Sequence, residues 1–161
     1  MTESTIRRLP QPTLEGDELA ALLALDISAT LAFVDADGFP RLVPCWFLYR
    51  DEQFHVSSLR DKFHVRCLQR NPRASICVEQ EVIAAGRFRR NRQAKAVGTV
   101  DIVDDPDGRY TREIRAKYLL ASQLGTASTM SNDTEPRVIL RLTPKRLTAH
   151  GGKIERTAAT S

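Results

Sequence analysis

A chain of 161 residues has the length of one domain, and its 42% content of apolar residues is sufficient to bury a core. The net charge of +4 favours anionic small molecules as ligands but is too low for a dedicated nucleic-acid binder, so no nucleic-acid partner is expected. Because the chain has neither an apolar run of roughly 18 residues nor a signal-peptide pattern, we predict a soluble cytoplasmic protein without a membrane partner.

The cysteines and histidines carry no recognisable catalytic or metal-binding pattern. The three cysteines form no C-x-x-C motif, and no histidine lies at zinc-finger spacing, so we predict reduced thiols and no metal site. The histidines form no triad with a serine or cysteine, and the GxSxG, P-loop and GxGxxG motifs are absent. Hydrolysis and Rossmann-type cofactor binding are therefore not predicted.

The first 60 residues predict one helix followed by three strands. The polar segment 1–12 contains two prolines and is expected to be a loose arm. Thr13 is a candidate N-cap for a helix that ends near Leu25, with leucines on one face. The dipeptide Asp37-Gly38 predicts a hairpin turn, because glycine tolerates the positive φ that such turns require. The predicted strands are residues 29–34, 40–49 and 53–59.

Residues 40–49 are apolar on both faces of the predicted strand. One face carries Leu42, Trp46 and Leu48, and the other carries Val43, Cys45, Phe47 and Tyr49. A strand that is apolar on both sides indicates a barrel wall that is also covered on its outside, by a helix or by a second subunit.

The rest of the chain predicts two further helices and three further strands. Residues 61–70 predict a short helix, and an apolar repeat of four residues predicts a second one from Tyr110 to about Leu124. Gly98 interrupts a predicted strand, at a bulge or a close backbone approach. The remaining predictions are strands at 74–78, 94–103 and 137–147, an irregular basic segment at 82–93, a polar loop at 125–135 and a disordered tail at 151–161.

Six strands with short connections predict a mostly β (α+β) fold, a six-stranded antiparallel barrel with short flanking helices. We detect no internal repeat and no domain boundary, so residues 13–150 are predicted to form one domain.

Four segments, taken in this order, resemble a known family. They read ATLAFVDADGFPRLVPCWFLY, FHVSSLR, LQRNPRASICV and AVGTVDIVDD, at residues 29–49, 54–60, 68–78 and 96–105. The predicted helix that contains Lys117 and Tyr118 also matches. The chain resembles the pyridoxamine 5'-phosphate oxidase-like, FMN-binding split barrels, and within them the branch that includes deazaflavin (coenzyme F-420) reductases. The resemblance implies a homodimer with two cofactors at the subunit interface, each contacted by both chains.

The resemblance also implies a phosphate-binding segment. Ser58 and Lys62 match it, and together with Ser57 they would offer hydroxyl and ammonium donors beside the N–H groups at a helix N-terminus. His64 stands where the family usually has lysine, and Cys67 where it usually has asparagine, so either a lower phosphate affinity or a different ligand is expected. The alternative is an ordinary polar strand end and helix start, with His64 and Cys67 simply packed on the helix.

Pro44, Cys45 and Trp46 lie where the family stacks the flat isoalloxazine ring on a strand. The alternative is that Trp46 belongs to the core. The basic loop GRFRRNRQAK at residues 86–95 contains Arg87, Arg89, Arg90, Arg92 and Lys95, and it is either a solvated surface loop or an anion clamp beside the cofactor.

We therefore predict a flavin- or deazaflavin-binding oxidoreductase that transfers hydride between FMN or coenzyme F-420 and an unknown small organic substrate. A binder without catalytic activity, for flavin, haem or another tetrapyrrole, is the alternative, in which His64 would be an axial ligand or a polar contact. Nucleic-acid binding through the arginines is a third hypothesis, weakened because only Phe88 could stack on a base.

Overall fold

The computed structural model describes residues 5–8, 12–84, 88–120, 122–124 and 135–157. Within these ranges eight strands form one antiparallel sheet, against which three helices pack. The helices are α1 Gly16–Ala24, α2 Phe63–Arg70 and α3 Arg109–Tyr118. The strands are β1 Thr5–Arg8, β2 Ala29–Val34, β3 Pro40–Cys45, β4 Leu48–Arg50, β5 Gln53–Leu59, β6 Arg73–Ala84, β7 Phe88–Asp104 and β8 Arg137–Thr157.

The order of the strands forces the sheet to close. Hydrogen-bonded strands follow one another across the sheet in the order β3-β2-β6-β7-β8-β5-β4, and β1 forms an additional pair with β8. The two ends of the order, β3 and β4, are separated in the chain only by Trp46 and Phe47. Because consecutive Cα atoms are 3.8 Å apart, Cys45 and Leu48 lie within roughly 11 Å of each other. The sheet therefore curls into a barrel that stays open along part of its seam, as the prediction of an antiparallel split barrel requires.

The prediction of a single strand at residues 40–49 is wrong. This segment contributes to two strands, β3 and β4, which lie at opposite ends of the sheet. This division adds one strand and β1 adds another, so the sheet has eight strands rather than six. Among the described strands, β3 pairs with β2 alone. The side chain of Leu42 on β3 is 70% exposed, so β3 is not buried on both faces as predicted. Pro40 and Pro44, which lack an N–H group, are tolerated because β3 has a free edge.

The polar ends of the strands extend further than predicted. Of the residues predicted to be irregular, 82–84 belong to β6 and 88–93 to β7, and these two strands pair from Arg73 opposite Thr99 to Ala84 opposite Phe88. Similarly, Thr5–Arg8 pairs with residues 154–157 of β8, where a loose arm and a disordered tail were expected. Backbone hydrogen bonds to neighbouring strands hold these segments, and such bonds leave no trace in the hydrophobic pattern.

Elements with clear alternation or turn signals match their predictions. The bounds of β2 and β5 are those predicted, and β8 begins at Arg137 with Val138, Leu140 and Leu142 in the core. The helices are shorter than predicted: α1 begins at Gly16, and α3 ends at Tyr118. In the described part of the chain, no helix is long and apolar enough to cross a membrane.

Candidate functional site

A cavity of about 410 Å³ lies at the seam of the barrel, between the end of β3 and the end of β5. Both strands expose a backbone edge there, since β4 covers only residues 53–55 of β5 and no described strand pairs with the outer side of β3. In an antiparallel sheet, alternate N–H and C=O groups along such an edge lack a partner. The cavity is therefore bounded by backbone donors and acceptors as well as by side chains.

The cavity brings together six of the eight residues predicted to bind a cofactor. These are Pro44, Cys45, Trp46, Ser57, Ser58 and His64. Lys62 and Cys67 do not line it, because Lys62 is exposed at the start of α2 and Cys67 is buried in the core. Sequence reasoning missed the other four lining residues, which are Ser28, Leu31, Val43 and Val56. The cross-strand pairing of Leu31 with Val43 could have indicated two of them.

One wall of the cavity is apolar and carries an exposed aromatic ring. Trp46 is 41% exposed, so it is not a core residue, and its indole stacks on Tyr118 of α3 with ring centroids 4.8 Å apart and planes 5° from parallel. Because Tyr118 covers one face of the indole, only the remaining face and the edge can meet a ligand. A flat heteroaromatic ligand would find an apolar surface here.

The thiol of Cys45 beside Trp46 is unsuited to nucleophilic chemistry. Burial raises the pKa of this thiol to about 12, so it stays protonated at neutral pH. The thiolate is the reactive form of cysteine. Cys45 therefore contributes shape and an apolar surface to the wall.

The opposite end of the cavity is polar, and its serine and histidine are already hydrogen-bonded. The Ser58 hydroxyl donates to the Leu59 carbonyl at 3.1 Å, and it lies 2.7 Å from Nε2 of His64. Because Ser58 has one proton, Nε2–H of His64 is the donor in the second contact. Burial, and then the charge of Lys62, lower the pKa of His64, so the imidazole is neutral at pH 7. The pair is thus not arranged as a nucleophile with its base.

Ser57 belongs to a chain of hydrogen bonds that leads away from the cavity. Thr111 donates its hydroxyl proton to the buried carboxylate of Asp105 at 2.7 Å. The 2.7 Å contact between Ser57 and Thr111 must then be donated by Ser57, while Nε of Arg137 donates to Ser57 at 3.0 Å. The proton of Ser57 is therefore engaged within the protein. Sequence reasoning missed Asp105, Thr111 and Arg137. In the chain, Thr111 lies 54 residues and Arg137 lies 80 residues from Ser57, to which both are hydrogen-bonded.

The N-terminus of α2 faces the same polar end. Lys62 occupies the N-cap position without a side-chain cap, so the first N–H groups of the helix have no side-chain acceptor there. His64 in the first turn lines the cavity, which places these donors near it. A helix N-terminus with a cation beside it favours a bound anion such as a phosphate.

The predicted arginine clamp is not brought to this cavity. Arg87 lies outside the described residues, and Arg90 and Arg89 pair with Lys153 and Ile154 of β8. Ser57, which lines the cavity, pairs with Ile139 of β8. Ile139 lies 14 residues before Lys153 on that strand, a separation of about 46 Å. The register thus separates the arginines from the cavity of their own chain.

Lys117 lies behind the wall that carries Trp46, and its ammonium is partly withdrawn from water. Burial lowers the pKa of Lys117 from its ordinary value of 10.5 to about 8, with a smaller opposing effect from Asp26. None of the described carboxylates lies within ion-pair distance of it. Between pH 8 and pH 10.5 the unfolded chain therefore binds more protons at this position than the folded chain, so the contribution of Lys117 to stability rises with pH.

We expect the stability advantage of the wild type over Lys117→Met to grow as the pH rises from 8 towards 10.5. Burial raises the pKa of Cys45 and of Tyr118 to about 12, and these shifts lower the free energy of unfolding as the pH rises. Both groups are present in the wild type and in the variant, so their effects cancel when the two free energies of unfolding are subtracted. Urea unfolding followed by circular dichroism at the two ends of this range measures the effect. A difference that does not change with pH would contradict it.

Comparisons with known proteins agree with this geometry. The family described as pyridoxamine 5'-phosphate oxidase matches residues 16–151. No curated protein matches the sequence. Among solved structures, an F-420 reductase is 24% identical, with 79% of this chain and 93% of that chain covered and a TM-score of 0.62.

Two other solved structures share the fold. An FAD-binding protein from Mesorhizobium loti is 20% identical over 89% of this chain and 99% of that chain, with a TM-score of 0.63. An FAD and heme binding protein from Mycobacterium smegmatis is 19% identical over 94% of this chain and 76% of that chain, with a TM-score of 0.62. At these identities the likeness establishes the split-barrel fold.

Proposed function

This chain belongs to the pyridoxamine 5'-phosphate oxidase family, and we propose that it is an oxidoreductase that holds FMN or coenzyme F-420 beside Trp46. The observation that carries the proposal is a single cavity with a flat apolar wall at one end and the N-terminus of α2 at the other. Its volume of about 410 Å³ is in the range of small-molecule and cofactor sites. A tricyclic ring with a phosphorylated tail has the same two-part character.

The residues of the cavity fit both parts of such a cofactor. Pro44, Val43 and Trp46 would face the ring, and the free backbone edges of β3 and β5 offer donors and acceptors to its polar rim. The amide groups that begin α2, together with Lys62, would hold the phosphate. Ser58 would join them by turning its proton from the Leu59 carbonyl to the phosphate.

When bound, a flavin or deazaflavin supplies hydride transfer, so the protein needs no acid–base pair of its own. The protonated thiol of Cys45 and the committed proton of Ser57 are consistent with this division of labour. The role of the chain would be to orient the ring and to leave one face open to a small organic substrate. The relative named as an F-420 reductase supports this reaction class.

We further propose that two copies of the chain form a homodimer. Phe39 and Leu42 around β3 are 66% and 70% exposed, and Phe63 of α2 is also exposed. A second, mostly apolar cavity of about 750 Å³ lies nearby, against Pro40 and Val97. Apolar side chains grouped in this way on the surface favour a partner surface. Light scattering of the purified protein tests this by giving the mass of two chains.

The decisive experiment is a titration with FMN and, separately, with coenzyme F-420. Trp46 is the only tryptophan, so quenching of its fluorescence reports on the cavity. We expect micromolar or tighter binding of one ligand, and Lys62→Gln should weaken it about tenfold by removing a charged phosphate contact. Lys95→Gln, which removes the same charge from an exposed position on β7, should leave it unchanged. Failure of both ligands to bind would remove the proposal.

A binder of flavin, haem or another tetrapyrrole without catalytic activity is the second candidate. It is favoured by the neutral imidazole of His64 in the cavity and by the relative named as an FAD and heme binding protein. Iron could bind Nε2 only after that atom lost its contact with Ser58. A Soret band after addition of haem that is lost in His64→Ala would support this candidate, and the absence of any band would exclude haem.

A further inference from the structure

The last two residues of α3 hold the short crossing between β3 and β4. The Tyr118 hydroxyl accepts a hydrogen bond from the Phe47 amide at 3.1 Å and donates to the Ile27 carbonyl at 3.0 Å. The Lys117 ammonium donates to the Leu23 carbonyl at 3.0 Å and to the Phe47 carbonyl at 3.2 Å. It also lies 3.6 Å from the centre of the Phe47 ring, a cation–π distance.

The crossing depends on these contacts because it belongs to neither strand. β3 ends at Cys45 and β4 begins at Leu48, so the backbone groups of Phe47 take no part in the strand pairing of either strand. Side chains of α3 satisfy both its N–H and its C=O group. Buried backbone groups without a partner would cost free energy, so α3 determines the conformation of the crossing.

Trp46 and Phe47 point in opposite directions from this crossing. Phe47 is fully buried, with its ring 5.8 Å from that of Phe54 in the core. Trp46 is partly exposed, lines the cavity and stacks on Tyr118. The position of the indole is therefore set by the anchored backbone of Phe47 on one side and by the Tyr118 ring on the other. Neither Lys117 nor Tyr118 lines the cavity itself.

We propose that Lys117 and Tyr118 are positioning residues that set Trp46 at the rim of the cavity, Tyr118 by stacking and Lys117 by fixing Phe47. The inference rests on the proposed function only in its last step, in which the placement of Trp46 determines cofactor affinity. The placement itself is a property of the protein without ligand. Partial burial of the lysine agrees with this role, because its ammonium is served by two carbonyls and a ring rather than by water.

The test compares three substitutions with a matched control on the same helix. Tyr118→Phe keeps the ring and removes the hydroxyl, Tyr118→Leu removes both, and Lys117→Met removes the ammonium at similar side-chain length. Glu113→Gln is the control, because it weakens the contact of α3 with Arg50 at 2.7 Å and does not touch the crossing. Trp46 emission, acrylamide quenching and near-ultraviolet circular dichroism are recorded on the folded proteins without ligand.

We expect altered Trp46 spectra and quenching in all three variants, largest in Tyr118→Leu, and a wild-type signature in Glu113→Gln. Cofactor affinity should fall about tenfold in Tyr118→Leu, comparable with the loss of one aromatic contact. If the variants unfold more easily but keep the native Trp46 signature, the role of Lys117 and Tyr118 is structural only and the proposal is overturned. Tyr118→Phe is the most conservative of the three changes, so this outcome can still be observed if the other variants fail to fold. If the wild type binds neither cofactor, the proposed function fails while the spectra still decide the placement of Trp46.

Discussion

Asp105→Ala is expected to lower the free energy of unfolding by about 3 kcal/mol, because it leaves several buried donors without an acceptor. The carboxylate accepts the N–H groups of Tyr110 and Thr111, at 3.2 and 2.9 Å, and the Thr111 hydroxyl at 2.7 Å. Gly108, at the N-cap position, has no side chain to cap α3. Asp105, three residues earlier in the chain, takes over this role. Urea unfolding followed by circular dichroism measures the loss.

Asp104→Ala is the matched control for this prediction. Asp104 is the adjacent carboxylate, but it is exposed and pairs with Arg60 on the surface. Exposed ion pairs contribute at most about 1 kcal/mol, so the control should be nearly neutral. Equal losses in the two variants would show that the hydrogen bonds of Asp105 do not hold α3. In that event the orientation deduced for the Ser57 hydroxyl would also lose its basis.

Gly98→Ala should destabilise the protein by a similar amount, about 3 kcal/mol, since the added methyl group meets backbone rather than a movable side chain. A Cβ atom at this position would lie 2.0 Å from the Thr143 carbonyl oxygen and 2.9 Å from the carbonyl carbon. The close approach arises at the bulge where the register of β7 against β8 shifts between Val97 and Gly98. Urea unfolding again gives the measurement.

Lys95→Ala is the control, because Lys95 is an exposed side chain on β7, three residues before Gly98. Trimming an exposed side chain should change the free energy of unfolding by less than about 1 kcal/mol. Unfolding of Gly98→Ala at the urea concentration of the wild type would contradict the prediction, and would mean that the bulge can relax away from Thr143.

The candidate site was predictable where its residues are local in the chain. Ser57 and Ser58 end a strand whose bounds follow from alternation, and His64 begins the helix after it, so short-range pattern brings them to one place. The hydrogen bonds that orient them were not predictable. Thr111 lies 54 residues from Ser57, and nothing in the periodicity of α3 indicates which strand the helix covers.

Signals within short stretches of sequence were sufficient to predict a mostly β domain and the position of most of its elements. Alternating apolar residues and turn dipeptides define β2, β5 and the core face of β8, and Gly98 marks the bulge, because these signals depend on neighbours within a few residues.

The break between β3 and β4, from Cys45 to Leu48, and the side chains that hold that crossing depend on contacts between distant parts of the chain. The apolar residues from Val43 to Tyr49 suit one strand as well as two. The division occurs because closing the sheet places β3 and β4 at its two ends. Barrel closure is a property of all the pairings together, and the contacts of Lys117 and Tyr118 with Phe47, 70 and 71 residues away, exist only once it is complete.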